Sequence, residues 1–188
     1  MASQHRKRCK SYNIPGHAHE LTFSCFRRLP LLSKDRTRQW FVEALAEARQ
    51  RHNFYLWAYV IMPEHVHVLV WPRDEGYEVR LLRTALKIPV QRKALAFLRR
   101  QAPHFLQQLR DAQPNGDVHY RFWQRGGGYD RNIHEPATLR TVIEYIHNNP
   151  VRRGLVSQPT DWYWSSARFY AGMENVAPGM DPLIDFVG

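Results

Sequence analysis

Short-period patterns of hydrophobic residues mark three segments as predicted strands. They are 19–26 (HELTFSCF), 54–61 (FYLWAYVI) and 65–71 (HVHVLVW), all rich in β-branched and aromatic residues. Only Pro63 and Glu64 form the turn between the second and the third, so we expect these two strands to pair as a hairpin. A shorter strand is predicted at 119–124, and the three consecutive glycines after it predict a flexible turn before 129–133.

Hydrophobic residues recur at helical spacing in three other segments. The spacing predicts helices over 35–51, 78–101 and 136–148, with Pro136 in the first turn of the last one. We expect Pro89 to break or kink the second helix and Pro150 to end the third, because proline lacks the N–H that helical hydrogen bonding requires. Residues 102–118 predict an irregular connection that can include one helical turn, and the aromatic residues of 162–170 predict a C-terminal cover.

Hairpin-paired strands interleaved with helices are typical of an α+β fold built on an antiparallel sheet. A chain of 188 residues suits one domain with a substantial core. We expect a basic N-terminal tail over 1–14, one domain over 15–170 and a C-terminal tail over 171–188.

Composition argues against several classes of protein. No apolar run approaches the ~20 residues that span a membrane, and no apolar segment follows the basic N-terminus as it would in a secretory signal. The two cysteines, Cys9 and Cys25, imply no disulfide framework. The simplest expected setting is a reducing cytoplasm.

The charge of the chain favours a polyanionic partner. Lys and Arg number 27 against 17 Asp and Glu, for a net charge of +10, and residues 79–100 contain no acid. Cations beside aromatic rings, as in 121–131, suit phosphates and stacked, unpaired bases. A generally basic surface is the alternative interpretation. The candidate DNA-binding residues are Arg80, Arg83, Lys87, Arg92, Lys93, Arg121, Trp123, Arg125, Arg131, Arg152 and Arg153.

His65 and His67 lie two residues apart in a predicted strand. Their side chains therefore project from one face, while Val66, Val68 and Val70 project from the other. Two neutral imidazoles on one face can bind one divalent metal ion. Two half-exposed histidines without any ligand would show the same spacing, so the pair alone does not establish a metal site.

Tyr145 and Asn149 lie four residues apart in the last predicted helix and therefore on one face. Both border the apolar stripe of this helix, so the face can approach the sheet while the phenol stays accessible. A core tyrosine, and an asparagine that caps the helix, would also fit the pattern. Asn148 competes with Asn149 as the polar candidate, whereas His147 is expected to point away.

Two segments, MPEHVHVLVWP (62–72) and YIHNNPVRRGLV (145–156), resemble the signature segments of the REP-associated tyrosine transposases. This family belongs to the HUH single-strand nucleases with one catalytic tyrosine. Further similar segments occur in the family's order, namely PGHAHELTFSCFRRLPLL (15–32), FWQRGGGYDRNI (122–133) and DWYWSS (161–166). The resemblance covers residues 15–170, and it departs from the family at the three glycines and at 102–118.

The resemblance implies a ferredoxin-like or RRM-like antiparallel sheet, with both histidines on a central strand and the tyrosine on a helix laid across it. It implies that Tyr145 is the nucleophile and that His65, His67 and Asn149 bind Mg²⁺ or Mn²⁺. The implied reaction is cleavage and rejoining of single-stranded DNA at palindromic hairpins through a 5′-phosphotyrosine intermediate. A phenol is mostly protonated at neutral pH, and the sequence identifies no base for it.

The implied partner is single-stranded DNA that carries a REP-like hairpin, met at the nucleoid in the cytoplasm. Monomer and homodimer both stay open, because a single tyrosine can act within its own chain or across a dimer. The DNA sequence that is recognised cannot be predicted.

Two other functions fit part of the pattern. A catalytically silent, domesticated DNA-binding module would explain the charge, but not the combination of the histidine pair with Tyr145 and Asn149. A hydrolase that activates water at the histidine pair would need a carboxylate base. Glu64 is adjacent, but a neighbouring residue in a strand is expected to point away.

Overall fold

The computed structural model describes residues 11–173 and 179–183. Four strands form the main sheet: β1 (Ala18–Ser24), β2 (Phe54–Ile61), β3 (His65–Pro72) and β6 (Tyr129–Ile133). A separate small hairpin consists of β4 (Arg110–Ala112) and β5 (Val118–Tyr120). The helices are α1 (Asp35–His52), α2 (Val79–Gln101), α3 (Pro103–Leu106), α4 (Pro136–Arg152) and α5 (Ala167–Tyr170).

The main sheet is antiparallel throughout and has the strand order β2-β3-β1-β6. Along the chain, α1 lies between β1 and β2, and α2 lies between β3 and β6. This connectivity together with the strand order is that of a ferredoxin-like fold. The prediction of an α+β fold with a ferredoxin-like sheet is confirmed. β3 is a central strand, paired with β2 on one side and with β1 on the other, so the pairing of β2 and β3 as a hairpin is also confirmed.

The sheet has a hydrophobic core on each face. One core joins α1 and α2 to side chains such as Phe23, Val66 and Val68. The other joins Leu139, Val142, Ile143 and Ile146 of α4 to the opposite face of the sheet. Because successive strand residues alternate between faces, the sheet positions that point toward α4 are the ones that can meet Tyr145.

Neither proline interrupts its helix. Pro89 lies inside a continuous α2, and α4 continues past Pro150 to Arg152. In α4 the proline removes one hydrogen bond in the last turn. The turn is closed instead by bonds from the Gly154 N–H to Val151 O at 2.9 Å and from the Leu155 N–H to Pro150 O at 2.9 Å, with Gly154 at φ 66°. The predicted end at Asn148 was therefore too early.

Residues 102–124 differ from the prediction. The segment 102–118 contains α3, which agrees with the helical turn expected there, but also a 3-10 turn and β4, which were not predicted. The predicted strand over 119–124 is wrong beyond Tyr120. β5 pairs with β4 and not with the main sheet, and Phe122 and Trp123 enter the core instead.

The C-terminal residues form a cover, as predicted, and the structure places this cover along the edge of β2. The Ile61 N–H donates to Trp164 O at 2.8 Å, and the Ser166 N–H donates to Tyr59 O at 3.0 Å. In the predicted C-terminal tail, the Asp181 carboxylate accepts a hydrogen bond from the Leu56 N–H at 2.8 Å. Residues 1–10 of the predicted basic tail, and 174–178 and 184–188 of the C-terminal tail, lie outside the described residues.

Candidate active site

The two histidines of β3 share the face of the sheet that α4 covers. Both side chains are buried, and their ring centroids are 4.9 Å apart, edge to face. Val66, Val68 and Val70 point into the opposite core. The alternation expected from the sequence is confirmed, and it places both imidazoles at the floor of a cleft beneath α4.

Tyr145 reaches the histidine pair from α4. Its ring lies edge to face with His67, at 5.5 Å between centroids, and the side chain remains 40% exposed. The apolar stripe of α4 holds this position, because it packs on the sheet immediately beside Tyr145. One chain therefore supplies both the phenol and the two imidazoles.

Each imidazole is oriented through its Nδ1 atom. His67 Nδ1 is 2.8 Å from Thr22 Oγ1, and His65 Nδ1 is 3.2 Å from Glu64 Oε1. Among the described residues, neither Nε2 atom has a hydrogen-bond partner. Second-sphere contacts of this kind orient histidines whose other nitrogen binds a metal ion.

Glu64 does not point away from the histidine pair, so that expectation was wrong. It lies in the turn before β3, where strand alternation does not apply, and its carboxylate turns back toward His65. Arg153 donates a second bond to the same carboxylate, at 2.7 Å. Burial opposes the charge on Glu64, but His65 and Arg153 together lower its pKa.

Burial keeps both histidines neutral. It lowers the pKa of His67 to about 3, with a further contribution from His65. Burial also lowers the pKa of His65, although Glu64 opposes the shift. The neutral imidazole is the form that binds metal ions, so these pKa values favour ligation at neutral pH.

Asn149 faces the cleft together with Tyr145, and the competing residues do not. Its Nδ2 donates to Tyr145 O at 3.0 Å, which leaves Oδ1 as the acceptor in this arrangement. Asn148 is exposed and donates to Glu144 O at 2.9 Å, and His147 is buried against Ser166. The capping role is not seen, because α4 continues beyond Asn149 and ends at Arg152.

The donor set is compatible with a metal ion that is completed by ligands from outside the protein. Within residues 11–173 and 179–183, no three His, Cys, Asp or Glu side chains form a metal-binding group. Two imidazoles with one amide oxygen leave further positions for water and phosphate oxygens. Mg²⁺ prefers oxygen ligands and keeps several waters, and imidazole nitrogens also suit Mn²⁺.

The cleft has a volume of about 730 Å³ and is lined by four arginines. Arg131 comes from β6, and Arg152 and Arg153 come from the end of α4, all three being predicted DNA-binding residues. The Arg152 guanidinium lies 5.2 Å from the centre of the Tyr145 ring. Arg28, the fourth arginine, was not predicted.

The turn that carries Arg28 has an unusual backbone. Arg27 and Arg28 have φ values of 52° and 54°, in the left-handed region that side chains seldom adopt. Hydrogen bonds from the Arg28 N–H to Cys25 O at 3.0 Å and from the Arg27 N–H to Gln124 Oε1 at 3.1 Å hold the turn. The sequence carries no signal for this conformation, which turns Arg28 into the cleft beside His65.

Sequence reasoning also missed Glu20 and Thr22 of β1. Both line the cleft, and Glu20 Oε1 lies 4.0 Å from His67 Nδ1. Burial raises the pKa of Glu20, although Arg131 on the neighbouring strand opposes the shift. The signal that could have found them is strand alternation, since Thr22 pairs with His67 and Glu20 lies two residues before it.

Comparison with known proteins supports the resemblance. The chain is 26% identical over 145 residues to a Haemophilus influenzae protein assigned to the REP-associated tyrosine transposases, covering 72% of this chain and 76% of the relative. It is 27% identical over 150 residues to the REP-associated tyrosine transposase of Escherichia coli K12, covering 80% of this chain and 73% of the relative. The chain is thus similar in sequence to two REP-associated tyrosine transposases. No family model matches it.

A solved REP-associated tyrosine transposase, in a structure with a bound REP hairpin, shares the fold. The TM-score is 0.59 at 22% identity, and the match covers 93% of this chain and 92% of that chain. In the described part of this chain, no helix has the length and apolar character needed to cross a membrane.

The other predicted DNA-binding residues lie outside the cleft. Arg80, Arg83 and Lys87 border a separate pocket beside the glycine turn, and Arg92 is exposed further along α2. Lys93 forms an ion pair with Glu43 at 2.6 Å. Arg121 and Arg125 both form ion pairs with Asp111.

Trp123 is not available for stacking on DNA bases, so that prediction was wrong. It is only 4% exposed and packs edge to face against Phe23, Phe41 and Phe122. Its Nε1 donates to Lys87 O at 2.9 Å. The tryptophan is part of the core that joins α1 and α2 to the sheet.

Proposed function

We propose that this protein is a metal-dependent single-strand DNA endonuclease and transposase, with Tyr145 as its nucleophile. One observation carries the proposal: Tyr145 lies edge to face with His67 in an open cleft lined by four arginines. Relatedness to the REP-associated tyrosine transposases supports it. A structural role alone would not require a partly exposed phenol beside two buried, neutral histidines.

The arginines of the cleft bind the DNA backbone. Arg131, Arg152 and Arg153 surround Tyr145 and provide charge-assisted hydrogen bonds to phosphate oxygens. Arg28 lies on the His65 side, and we assign it to the scissile phosphate itself. Strained backbone is often found where a functional side chain must be held in position, and the left-handed turn of Arg27 and Arg28 fits this pattern.

His65, His67 and the amide oxygen of Asn149 would hold Mg²⁺ or Mn²⁺. When bound, the ion would withdraw charge from the scissile phosphate and so reduce its repulsion of the nucleophile. Thr22 and Glu64 keep the two imidazoles oriented through Nδ1. Glu64 is engaged with His65 and Arg153, which disfavours its use as the base of a hydrolase.

Tyr145 attacks the phosphorus in line with the leaving oxygen. The phenol loses its proton to solvent in the open cleft, the Tyr145 oxygen bonds to phosphorus, and the bond from phosphorus to the 3′ oxygen breaks. That oxygen leaves as a 3′-hydroxyl after taking up a proton. The nearby Arg152 guanidinium stabilises the negative charge on the attacking oxygen. The covalent bond lets a 3′-hydroxyl of another strand reverse the step, so strands are rejoined without ATP.

The substrate is single-stranded DNA next to a hairpin. The solved relative with a bound REP hairpin supports this class of substrate. An open cleft with an exposed Tyr129 at its rim also suits an unpaired strand whose bases can stack. Such DNA would be met at the nucleoid.

A covalent-adduct assay tests the proposal. Hairpin DNA with single-stranded flanks is labelled at its 3′ end, because a 5′-phosphotyrosine retains the 3′ portion, and is incubated with Mn²⁺ before a denaturing gel. Tyr145→Phe keeps the ring and should abolish the protein–DNA band. Tyr163→Phe, at an exposed tyrosine elsewhere, should leave the band unchanged.

The other outcomes identify the alternatives. Free cleaved product without a covalent band would indicate a hydrolase. Binding with neither product would indicate the catalytically silent DNA-binding protein, for which the lack of a third His, Cys, Asp or Glu ligand among the described residues is the favouring observation. An adduct that persists in Tyr145→Phe would assign the nucleophile to another residue.

A further inference from the structure

A second basic pocket lies between α2 and the turn that leads into β6. Its volume is about 380 Å³, and it is separate from the cleft beneath α4. Cationic side chains of α2 form one wall and the backbone of two glycines forms the other. The lining residues are Arg80, Arg83, Thr84, Lys87, Ile88, Gly126 and Gly127.

The positive charge of this pocket is only partly neutralised by the protein. Arg80 shares an exposed ion pair with Glu78, and Arg83 lies 3.7 Å from Asp130. Lys87 donates to Gly126 O at 3.0 Å, but among the described residues it has no carboxylate partner. Burial and the neighbouring Arg83 lower the pKa of Lys87 to about 8, as expected for a cation held without a counter-charge.

The glycine turn lets the backbone approach the arginine and the sheet closely. A Cβ on Gly127 would lie 2.9 Å from Arg83 Nη1, so a side chain there would displace the guanidinium. Gly128 has a φ of 80°, and a Cβ on it would lie 2.1 Å from Thr22 O. The glycines thus keep the pocket open toward Arg83 and fix the turn against β1.

The pocket and the cleft lie on either side of the β6 edge of the sheet. Gly128 is followed by Tyr129 and Arg131, which line the cleft, and β6 is the last strand in the sheet order. Gly127 of the pocket is only two residues before Tyr129 of the cleft, so the chain itself links the two walls at the start of β6. A DNA strand that leaves the cleft over β6 would therefore meet this pocket within a few nucleotides.

We propose that the pocket of Arg83, Lys87 and the Gly126–Gly127 turn binds one backbone phosphate of the DNA strand that leaves the cleft across β6. This proposal rests on the proposed function, because it assumes that DNA occupies the cleft. A single anion in the pocket would supply the counter-charge that Lys87 lacks. The β6 edge then forms the path between the reacting phosphate and the rest of the DNA.

The salt dependence of binding to hairpin DNA with single-stranded flanks tests the site. Lys87→Gln is compared with Lys34→Gln, because Lys34 is an exposed lysine before α1 that lines neither the cleft nor the pocket. Loss of one phosphate contact should reduce the slope of log K against log salt by about 0.7 for a single strand. We expect this change in Lys87→Gln and an unchanged slope in Lys34→Gln, with melting temperatures of both variants close to that of the wild type.

A second measurement locates the phosphate. Methylphosphonate, which is uncharged, is introduced at one position of the DNA at a time. At one position in a flank, the methylphosphonate should weaken DNA binding by the wild type several-fold. The same substitution should not weaken DNA binding by Lys87→Gln any further, as expected when the phosphate and Lys87 are the two partners of one contact. If the salt slope changes in Lys87→Gln but no methylphosphonate position shows this effect, the pocket acts through general electrostatics or binds a free phosphate ion. Either outcome would overturn the proposal.

An unchanged slope in Lys87→Gln would also overturn it. The covalent-adduct assay is independent of this result. If the wild type forms the adduct while Lys87→Gln shows no change in slope, the proposed function stands and the pocket is wrong. If no adduct forms but the position-specific effect is present, the pocket stands as a DNA phosphate site and the nuclease function fails.

Discussion

Replacing Arg28 with glycine would remove a guanidinium from the cleft and also relieve a strained backbone. A left-handed conformation costs an L-residue roughly 1–2 kcal/mol, and glycine adopts it freely. The added freedom of glycine in the unfolded chain offsets about 0.4–1 kcal/mol of this gain. We therefore expect the free energy of unfolding of Arg28→Gly to equal that of the wild type or to exceed it by about 1 kcal/mol.

The expected effect on cleavage is much larger and has the opposite sign. A hydrogen bond to a charged group is worth about 1.5–3 kcal/mol. If Arg28 makes such a bond to the scissile phosphate in the transition state, its loss should slow cleavage by roughly tenfold to 150-fold, at about 1.4 kcal/mol for each factor of ten. Arg28→Gly should thus be a stable but slow enzyme.

Arg27→Gly is the matched control, because Arg27 has nearly the same φ but does not line the cleft. The assay is the single-turnover rate of adduct formation at saturating hairpin DNA, measured beside thermal melting. Arg27→Gly should melt at or a few degrees above the wild-type temperature, at about 2–4 °C per kcal/mol for a chain of this size, and should cleave at the wild-type rate.

Two results would refute this reasoning. Wild-type cleavage by Arg28→Gly would show that the guanidinium does not contact the reacting phosphate. An equal loss of cleavage in both glycine variants would show that the conformation of the turn matters, and not the Arg28 side chain. In Arg28→Lys, which keeps the charge but not the planar fork, we expect partial activity.

Three further predictions concern the metal ligands and the second pocket. His67→Ala, or excess EDTA with the wild type, should abolish adduct formation, and cleavage at the wild-type rate in EDTA would contradict metal dependence. Asn149→Ala should raise the half-saturating Mn²⁺ concentration of cleavage, while Asn148→Ala should not; equal metal titrations would remove Asn149 from the site. DNA affinity should fall as pH rises through about 8, because Lys87 loses its proton there, and this component should be absent in Lys87→Gln; identical pH profiles of the two proteins would contradict it.

The sequence by itself determined the elements and the local faces of the site. The two-residue period of a strand places His65 and His67 on one side of β3, with the valines on the other. The helical period places Asn149 on the face of Tyr145. These relations depend only on local backbone geometry, so periodicity was sufficient to predict them. The resemblance to the REP-associated tyrosine transposases added the roles, which no spacing could supply.

Only the tertiary structure decided what these local faces meet. The contact of Tyr145 with His67 depends on how α4 packs across the sheet. The position of Arg28 in the cleft depends on a left-handed turn that Gln124, distant in sequence, helps to hold. Trp123 was predicted to bind DNA, but in the folded chain it is part of the core. Packing between distant segments, burial and ion pairing are properties of the assembled molecule. They set which cations form ion pairs within the protein, and they keep the two histidines neutral.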